Sequence, residues 1–204
     1  MRIRYVVTLA LLPAVAGLVV AIRTGQAAAP TPHAFQIAVA DWQGQHPFRL
    51  TSTTFTNDTQ VPQSMVYNGT LGSACSGGND SPELSWTRPW FARTFAVVAY
   101  DITANFTHWG IYNIAPDRTG LPPNAGVSGS PYGDQVPNDI GYAGYTGPCP
   151  PPGLVHHYVF TVYALDAELH LPSSAQFPPT PATLFRAMIG HVLQTASITG
   201  LYSD

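Results

Sequence analysis

The hydrophobic pattern of the chain is dominated by short apolar runs bounded by glycine and proline. Three of these runs are nearly continuous and rich in β-branched and aromatic residues: Arg93–Asp101, Trp109–Ile114 and Leu154–Leu165. Such runs are typical of strands that are buried on both faces. Phe48–Thr53 is shorter and partly alternating, and Ala196–Tyr202 predicts a short last strand. The pattern therefore predicts a β protein.

Only one segment has convincing helical periodicity. Thr180 supplies an N-cap and Pro181 suits the first helical position. An apolar stripe follows at helical spacing. Its members are Leu184, Phe185, Met188, Ile189 and Val192. The simplest architecture is an all-β, antiparallel sandwich with one helix near the C-terminus.

The connection Asp117–Gly153 contains eight glycines and eight prolines in 37 positions. Connections of this length without regular structure are usually functional or disordered. This one carries several tyrosines and ends in Gly147–Gly153, where successive prolines fix the backbone. We therefore expect an ordered, functional loop.

The N-terminus has the features of an export signal. Arg2 and Arg4 precede the apolar run Tyr5–Ile22, and small residues follow up to Ala29. This predicts a signal peptide over residues 1–29 and an exported protein (periplasmic, extracellular or in the cell envelope). The run is also long enough to span a bilayer, so an uncleaved membrane anchor is the alternative. Residues 30–47 would then form an extended segment before a single domain at 48–204.

Composition narrows the function classes. All eight basic residues are arginines, against eleven acidic residues, and only 9% of the chain is charged. Cleavage after Ala29 would leave five arginines and a formal charge of −6. Basic residues this sparse exclude the clustered positive face that nucleic-acid binding needs. With 45% apolar residues the chain can nevertheless build a substantial core.

Strand ends bring together the residues that could carry chemistry. Alternation along a strand puts His156 and Tyr158 on one face and His157 on the other. Asp101 ends one strand, and His108 begins the next. The three strand ends could therefore converge on a site that binds a phosphate-like or other polar group, holds a metal, or performs acid–base chemistry. The alternative is that these side chains only satisfy backbone groups of the loops.

Several spaced motifs then make the chain recognisable. They are Ser81–Trp86, Phe95–Asp101, His108–Ile114, Gly147–Gly153 and His156–Asp166. In this order they closely resemble the phosphatidylethanolamine-binding protein family, in its bacterial and archaeal Raf-kinase-inhibitor-like branch. The resemblance runs from about Phe48 to the C-terminus. It implies a two-sheet antiparallel β-sandwich with a small anion-accepting pocket near one end.

The resemblance also implies a set of ligand-binding residues. Asp101 matches the first acid of the family's Asp-Pro-Asp-Ala-Pro loop, and His108 matches its His-Trp strand start. A Gly-Pro segment and a His-x-Tyr strand complete the match. The implied binding residues are Asp101, His108, Gly147, Pro148, His156 and Tyr158. They would hold phosphate, phosphorylethanolamine or a similar anion, and an amine on the ligand could meet Asp101.

Two motifs depart from the family pattern. The acidic loop reads Asp-Ile-Thr-Ala-Asn at 101–105, which loses one acid and both prolines. The usual Cys-Asp-Gly reads Cys-Ser-Gly at 75–77, which loses another acid. Fewer carboxylates make the pocket less hostile to anions, whereas a different loop could change its shape. The choice of ligand therefore stays open.

The two cysteines, Cys75 and Cys149, each lie in a family motif. In an exported protein a disulfide between them is the natural hypothesis. Two buried free thiols are the alternative.

The expected function is a non-enzymatic binding protein without a cofactor. No serine nucleophile elbow occurs, because Gly126–Ser130 has its last glycine misplaced. A zinc site from Asp101, His108 and His156 is arithmetically open but unsupported by spacing, so no metal is expected. The expected partner is a small phosphate-bearing or other anionic ligand, such as a phospholipid head group. The alternative is inhibition of a protein kinase or serine protease through the pocket edge and the long loop.

Overall fold

A computed structural model describes residues 47–70, 75–172 and 178–204, and within these ranges the chain forms two β-sheets and one α-helix. The strands are β1 (Leu50–Thr51), β2 (Thr59–Gln60), β3 (Leu84–Trp86), β4 (Thr94–Asp101), β5 (Phe106–Ile114), β6 (Gly120–Leu121), β7 (Asp134–Gln135), β8 (His156–Leu165) and β9 (Val192–Tyr202). The helix is α1 (Pro181–Met188), and a 3-10 turn covers Gln63–Met65. The predicted signal peptide and nearly all of the extended segment 30–47 lie outside the described residues.

The larger sheet has the strand order β2-β9-β8-β4-β5-β7, and the smaller has β1-β3-β6. This confirms the predicted all-β sandwich with a late helix. Pairing is antiparallel except between β2 and β9, where Thr59 lies opposite Gly200 in a parallel pair. The chain reaches β2 from the other sheet and not through a hairpin, so nothing forces the two strands to be antiparallel.

β4 lies at the centre of the larger sheet and is buried on both faces, as the sequence predicts. Phe95 points between the sheets, with its ring 5.4 Å from that of Trp86. Ala96 and Val98 point the other way, into a second cluster that includes Leu184 of α1. The helix thus covers the outer face of the sheet that the sandwich leaves open.

β8 differs from the prediction in two respects. It begins at His156, and Leu154 lies outside it with 56% of its surface exposed. Only one of its faces is fully buried, since His157 is exposed and Val159 is half-buried. The reason is the limited reach of the helix, because the cluster beneath α1 takes in only the C-terminal part of this strand, around Leu165.

The helix begins as predicted but ends early. Thr180 caps it by accepting a hydrogen bond from the backbone N–H of Thr183. It ends at Met188, because the chain turns at Gly190 with φ +82°. Ile189 is 76% exposed and Val192 begins β9, so the predicted apolar stripe was too long and the last strand too short.

The long connection 117–153 is ordered and contributes β6 and β7. Its last part returns to the end of the sandwich where β4 stops and β8 starts. Among the described residues, no helix combines the length and apolar character that crossing a membrane requires.

Candidate functional site

The sheet brings the predicted strand ends together at one edge. β4 lies between β5 and β8 and is antiparallel to both, so its last residue lies beside the start of each neighbour. In register, Asp101 is opposite Phe106 on one side and Tyr158 on the other. His108 lies two residues after Phe106 in β5, and His156 lies two residues before Tyr158 in β8, so both are near Asp101. Strand ends alone therefore position four polar side chains within one region.

These side chains line a cavity of about 320 Å³. Five of the six residues implied by the family resemblance are in its wall: Asp101, His108, Gly147, His156 and Tyr158. Most of the remaining wall is apolar and includes Phe106, Ile140, Cys149, Pro150 and Pro151. A mostly apolar hollow with a few convergent polar groups is the usual form of a small-molecule site.

A buried acid–histidine pair lies in this wall. Nδ1 of His156 is 2.6 Å from Oδ2 of Asp101, and the two side chains are 9% and 2% exposed. The other carboxylate oxygen accepts the backbone N–H groups of Thr103 and Ala104 at 2.8 Å and 3.0 Å. Because a carboxylate only accepts, Nδ1 of His156 carries a proton. Nε2 is then the ring nitrogen left for a ligand.

His108 is held in the same tautomer by a different partner. Its Nδ1 donates to the carbonyl oxygen of Thr146 at 2.7 Å. Burial lowers the pKa of His108, and this outweighs the opposite effects of that hydrogen bond and of the carboxylates of Asp101 and Asp139. The ring is therefore neutral at pH 7, and its free Nε2 is an acceptor.

Tyr158 supplies a hydrogen-bond donor to the cavity. The residue is 2% exposed, and its hydroxyl group has no hydrogen-bond partner among the described residues. Burial, reinforced by the charge of Asp101, raises the pKa of this phenol, so it keeps its proton. A buried polar group without a partner costs about 1–3 kcal/mol, so this hydroxyl marks a position where a ligand atom would be stabilised.

Gly147 and Pro148 shape the wall from behind. A Cβ atom at Gly147 would lie 2.0 Å from the carbonyl oxygen of Met65, so this close approach requires glycine. Pro148 is buried, and its carbonyl accepts the backbone N–H of Tyr67 at 3.0 Å. Unlike Gly147, Pro148 is not part of the cavity wall.

The predicted disulfide is present. Cys75 and Cys149 are bonded, with their Cα atoms 5.9 Å apart. Since Cys149 lines the cavity, the bond ties the proline-rich end of the long loop to a segment 74 residues earlier in the chain.

Two asparagines that sequence reasoning missed organise this wall. The Asn138 side chain is buried, donates to Thr146 Oγ1 at 2.8 Å, and accepts the backbone N–H of Tyr142 at 3.0 Å. Asn79 accepts the N–H of Gly147 at 2.8 Å. The only signal in the sequence is that asparagine is common in turns, which does not distinguish a buried hub from a solvated loop residue.

The metal alternative finds no support in the described ranges. No group of three or more histidine, cysteine, aspartate or glutamate side chains is arranged there to hold a metal ion. This includes the set Asp101, His108 and His156.

Comparisons with known proteins extend this picture. A family model described as phosphatidylethanolamine-binding protein matches residues 51–203. A UPF0098 protein of Methanothermobacter thermautotrophicus is 46% identical over 134 residues, which are 63% of this chain and 85% of that protein. LppC of Mycobacterium tuberculosis, described as a proposed lipoprotein, is 34% identical over 158 residues, with 76% of this chain and 73% of that protein covered.

Escherichia coli YbcL, a UPF0098 protein, is 36% identical over 173 residues, covering 76% of this chain and 87% of YbcL. Its crystal structure, described as that of a new member of the mammalian PEBP family, matches with a TM-score of 0.68 and 35% identity, covering 77% of this chain and 98% of that one. With the family model spanning most of the sequence, the resemblance read from the motifs is confirmed. The chain belongs to the phosphatidylethanolamine-binding protein family, alongside the UPF0098 proteins of bacteria and archaea.

Proposed function

We propose that the protein is a non-enzymatic binding protein that receives a phosphate-bearing head group in the cavity. One observation carries the proposal. The Tyr158 hydroxyl and the Nε2 atoms of His108 and His156 are not used by the described part of the protein, and all three belong to side chains of one mostly apolar cavity. Its volume of about 320 Å³ suits a small ligand.

The cavity offers partners for both halves of a zwitterionic head group. Phosphate oxygens would accept hydrogen bonds from Tyr158 and from His156 when its ring is protonated. An ammonium group would be received by the carboxylate of Asp101 and by the neutral ring of His108. Phosphorylethanolamine contains both groups, and inorganic phosphate contains the first alone.

Family membership supports a binding role in general. The cavity wall also supports a role without catalysis, because none of its described residues is a serine and Cys149 is consumed in the disulfide. A serine-type nucleophile would have to lie at the free nitrogen of His156. Export is supported by the disulfide, which persists in oxidising compartments, and by the lipoprotein description of a relative.

The test is a calorimetric titration of the full chain with inorganic phosphate and with phosphorylethanolamine. His156→Gln removes the central ring, and His157→Gln is the matched control, because His157 is the next residue of β8 and is exposed on its other face. Wild type and control should bind saturably, and His156→Gln should bind about ten- to a hundredfold more weakly.

Two results would overturn the proposal. The first is the absence of binding by either ligand to the folded protein, which would favour a protein target of inhibition instead. The second is release of inorganic phosphate from phosphorylethanolamine by the purified protein, which would make it an enzyme.

A further inference from the structure

The charged groups in the cavity wall do not favour a simple anion, because the wall contains a carboxylate and no permanent cation among the described residues. Among the described residues that line the cavity there is neither lysine nor arginine, and Asp101 is the only carboxylate. Nδ1 of both histidines donates to a group of the protein, so each neutral ring presents an acceptor to the cavity. A phosphate group entering in this state would meet hydroxyl donors such as Tyr158, together with two ring lone pairs and a buried negative charge, but no cation from the described residues of the wall.

We propose that the cavity binds a phosphate group only together with one proton taken from solution, and that this proton sits on Nε2 of His156 in a hydrogen bond to a phosphate oxygen. The inference rests on the proposed function and adds to it the protonation state in which the ligand is held. The shared ligand chemistry is a phosphate with at least one anionic oxygen, whether it is a free monoester or the diester of a lipid head group.

His156 takes the proton because of what lies behind it. A proton added at its Nε2 creates an imidazolium whose other N–H is 2.6 Å from the carboxylate of Asp101, a pair that the low exposure of both side chains strengthens. The corresponding N–H of His108 meets only the neutral carbonyl of Thr146. Burial, which lowers the pKa of His108, also keeps that ring neutral.

The other ionisable groups around the cavity, within the part of the chain that the structure describes, do not provide a competing cation. From the elements packed against His156, the titratable side chains are Asp101 (β4), His108 (β5), Tyr158 (β8), Tyr202 (β9) and Tyr67 of the segment after β2. Asp139 acts on His108 from the long loop. Apart from the histidines these groups are acids or phenols, so a positive charge that the described residues present to the phosphate has to come from a proton.

The proposal predicts a defined pH dependence. With one proton taken up per ligand bound, the affinity for the ligand falls about tenfold for each unit by which the pH rises. At pH 8, the proposal predicts an uptake of about one proton per phosphate bound.

The experiment is a calorimetric titration at pH 8 in two phosphate-free buffers with different ionisation enthalpies. The difference between the binding enthalpies measured in the two buffers gives the number of protons taken up. The probes are phosphorylethanolamine, a monoester, and glycerophosphoethanolamine, a diester that does not itself gain a proton near this pH. Uptake of about one proton with the diester is the expected result. It assigns the proton to the protein, since the ligand cannot hold it.

The remaining outcomes separate the two proposals. Uptake with the monoester alone places the proton on the ligand and overturns the role of His156. Saturable binding without uptake overturns the proton coupling and leaves the proposed function standing. If neither probe binds the folded protein, the proposed function itself fails.

Asp101→Asn gives an independent readout. The amide oxygen can keep the N–H groups of Thr103 and Ala104, and its NH2 then faces His156, which must move its own proton to Nε2. Binding at pH 8 should then proceed with almost no proton uptake. Asp166→Asn makes the same change in the exposed pair with His191 and should leave the uptake at about one; a loss of uptake in this control, or none in Asp101→Asn, contradicts the proposal.

Discussion

Two aspartate–histidine pairs lie at opposite ends of β8 and make nearly the same contact. Nδ1 of His156 is 2.6 Å from Asp101 at the start of the strand, and Nδ1 of His191 is 2.8 Å from Asp166 just after its end. The first pair is 9% and 2% exposed, whereas the second is 45% and 48% exposed. Contact distance therefore does not separate them, and burial does.

Their surroundings differ in the same way. Beside Asp166 lies a wider hollow of about 560 Å³, with Arg88 and Arg93 in its wall, yet all three charged side chains are exposed. Beside Asp101 lies the smaller cavity with the buried hydroxyl of Tyr158. Volume and surface charge alone thus do not identify a binding site. The cavity beside Asp101 differs because a buried acid–histidine pair and the hydroxyl of Tyr158 belong to one wall.

The largest expected difference is in stability. Asp101→Ala leaves Nδ1 of His156 and two backbone N–H groups without their acceptor, and should lower the free energy of unfolding by about 3–5 kcal/mol. Asp166→Ala breaks a solvent-screened pair and should cost less than about 1 kcal/mol. Urea unfolding at pH 7 measures both. Equal costs for the two variants would remove the distinction drawn from burial.

The disulfide adds a second difference between the two ends of β8, because it stabilises the wall of the cavity at the start of the strand and has no counterpart among the described residues of the hollow beside Asp166. Replacing both Cys75 and Cys149 by serine should lower the free energy of unfolding by about 2–4 kcal/mol, since the unfolded chain regains the entropy of the closed loop. The measurement is denaturant unfolding with and without a reducing agent. Reductant should destabilise the wild type and leave the double variant unchanged, and an effect of similar size on both would contradict this.

The buried end should also make stability depend on pH. Burial lowers the pKa of His108, so the unfolded chain binds more protons than the folded one as the pH falls below about 6.5, and stability is lost in that direction. The loss is at most about 1.4 kcal/mol per pH unit from this group. The free energy of unfolding should therefore fall less between pH 7 and pH 5 in His108→Gln than in the wild type, as measured by denaturant unfolding at both pH values. Identical pH slopes for wild type and variant would contradict the expectation.

Substitutions of two buried tyrosines should change stability with opposite signs. Tyr158→Phe removes a buried hydroxyl without a partner and should leave stability unchanged or slightly higher, while ligand affinity falls about five- to tenfold. Tyr145→Phe removes a buried hydroxyl that donates to the carbonyl oxygen of Met65 at 3.2 Å and should cost about 0.5–1.5 kcal/mol of stability, while ligand affinity stays close to that of the wild type. Thermal unfolding and titration of both variants decide the matter. The opposite pattern of signs would show that the Tyr158 hydroxyl serves the fold.

The polar residues of the cavity could be predicted from the sequence because two simple rules, strand alternation and the order of strand ends, determine their positions. Strand alternation separates His156 from His157, and the order of strand ends places Asp101 near both histidines. The spaced motifs then indicated the two-sheet sandwich through their resemblance to the family. The central strands could also be predicted, since a continuous apolar run of this length is nearly always buried.

The rest depends on contacts between segments far apart in the chain. The buried hub Asn138 and the support that Asn79 gives to Gly147 have no periodic signal in the sequence. The same limit explains the helix, where an apolar stripe extended past Met188 but Gly190 ended the element. The absence of a partner for the Tyr158 hydroxyl is likewise visible only after the fold is assembled.

The most direct test of the account is a nitrogen-15 spectrum of the histidine rings recorded while phosphorylethanolamine is added. In the free protein, His108 and His156 should each carry their proton on Nδ1. On titration the Nε2 signals of these two rings should move, and those of His157 and His191 should stay in place. Movement of His191 with an unchanged His156, in a protein that binds the ligand, would locate the site at the exposed pair and contradict the account.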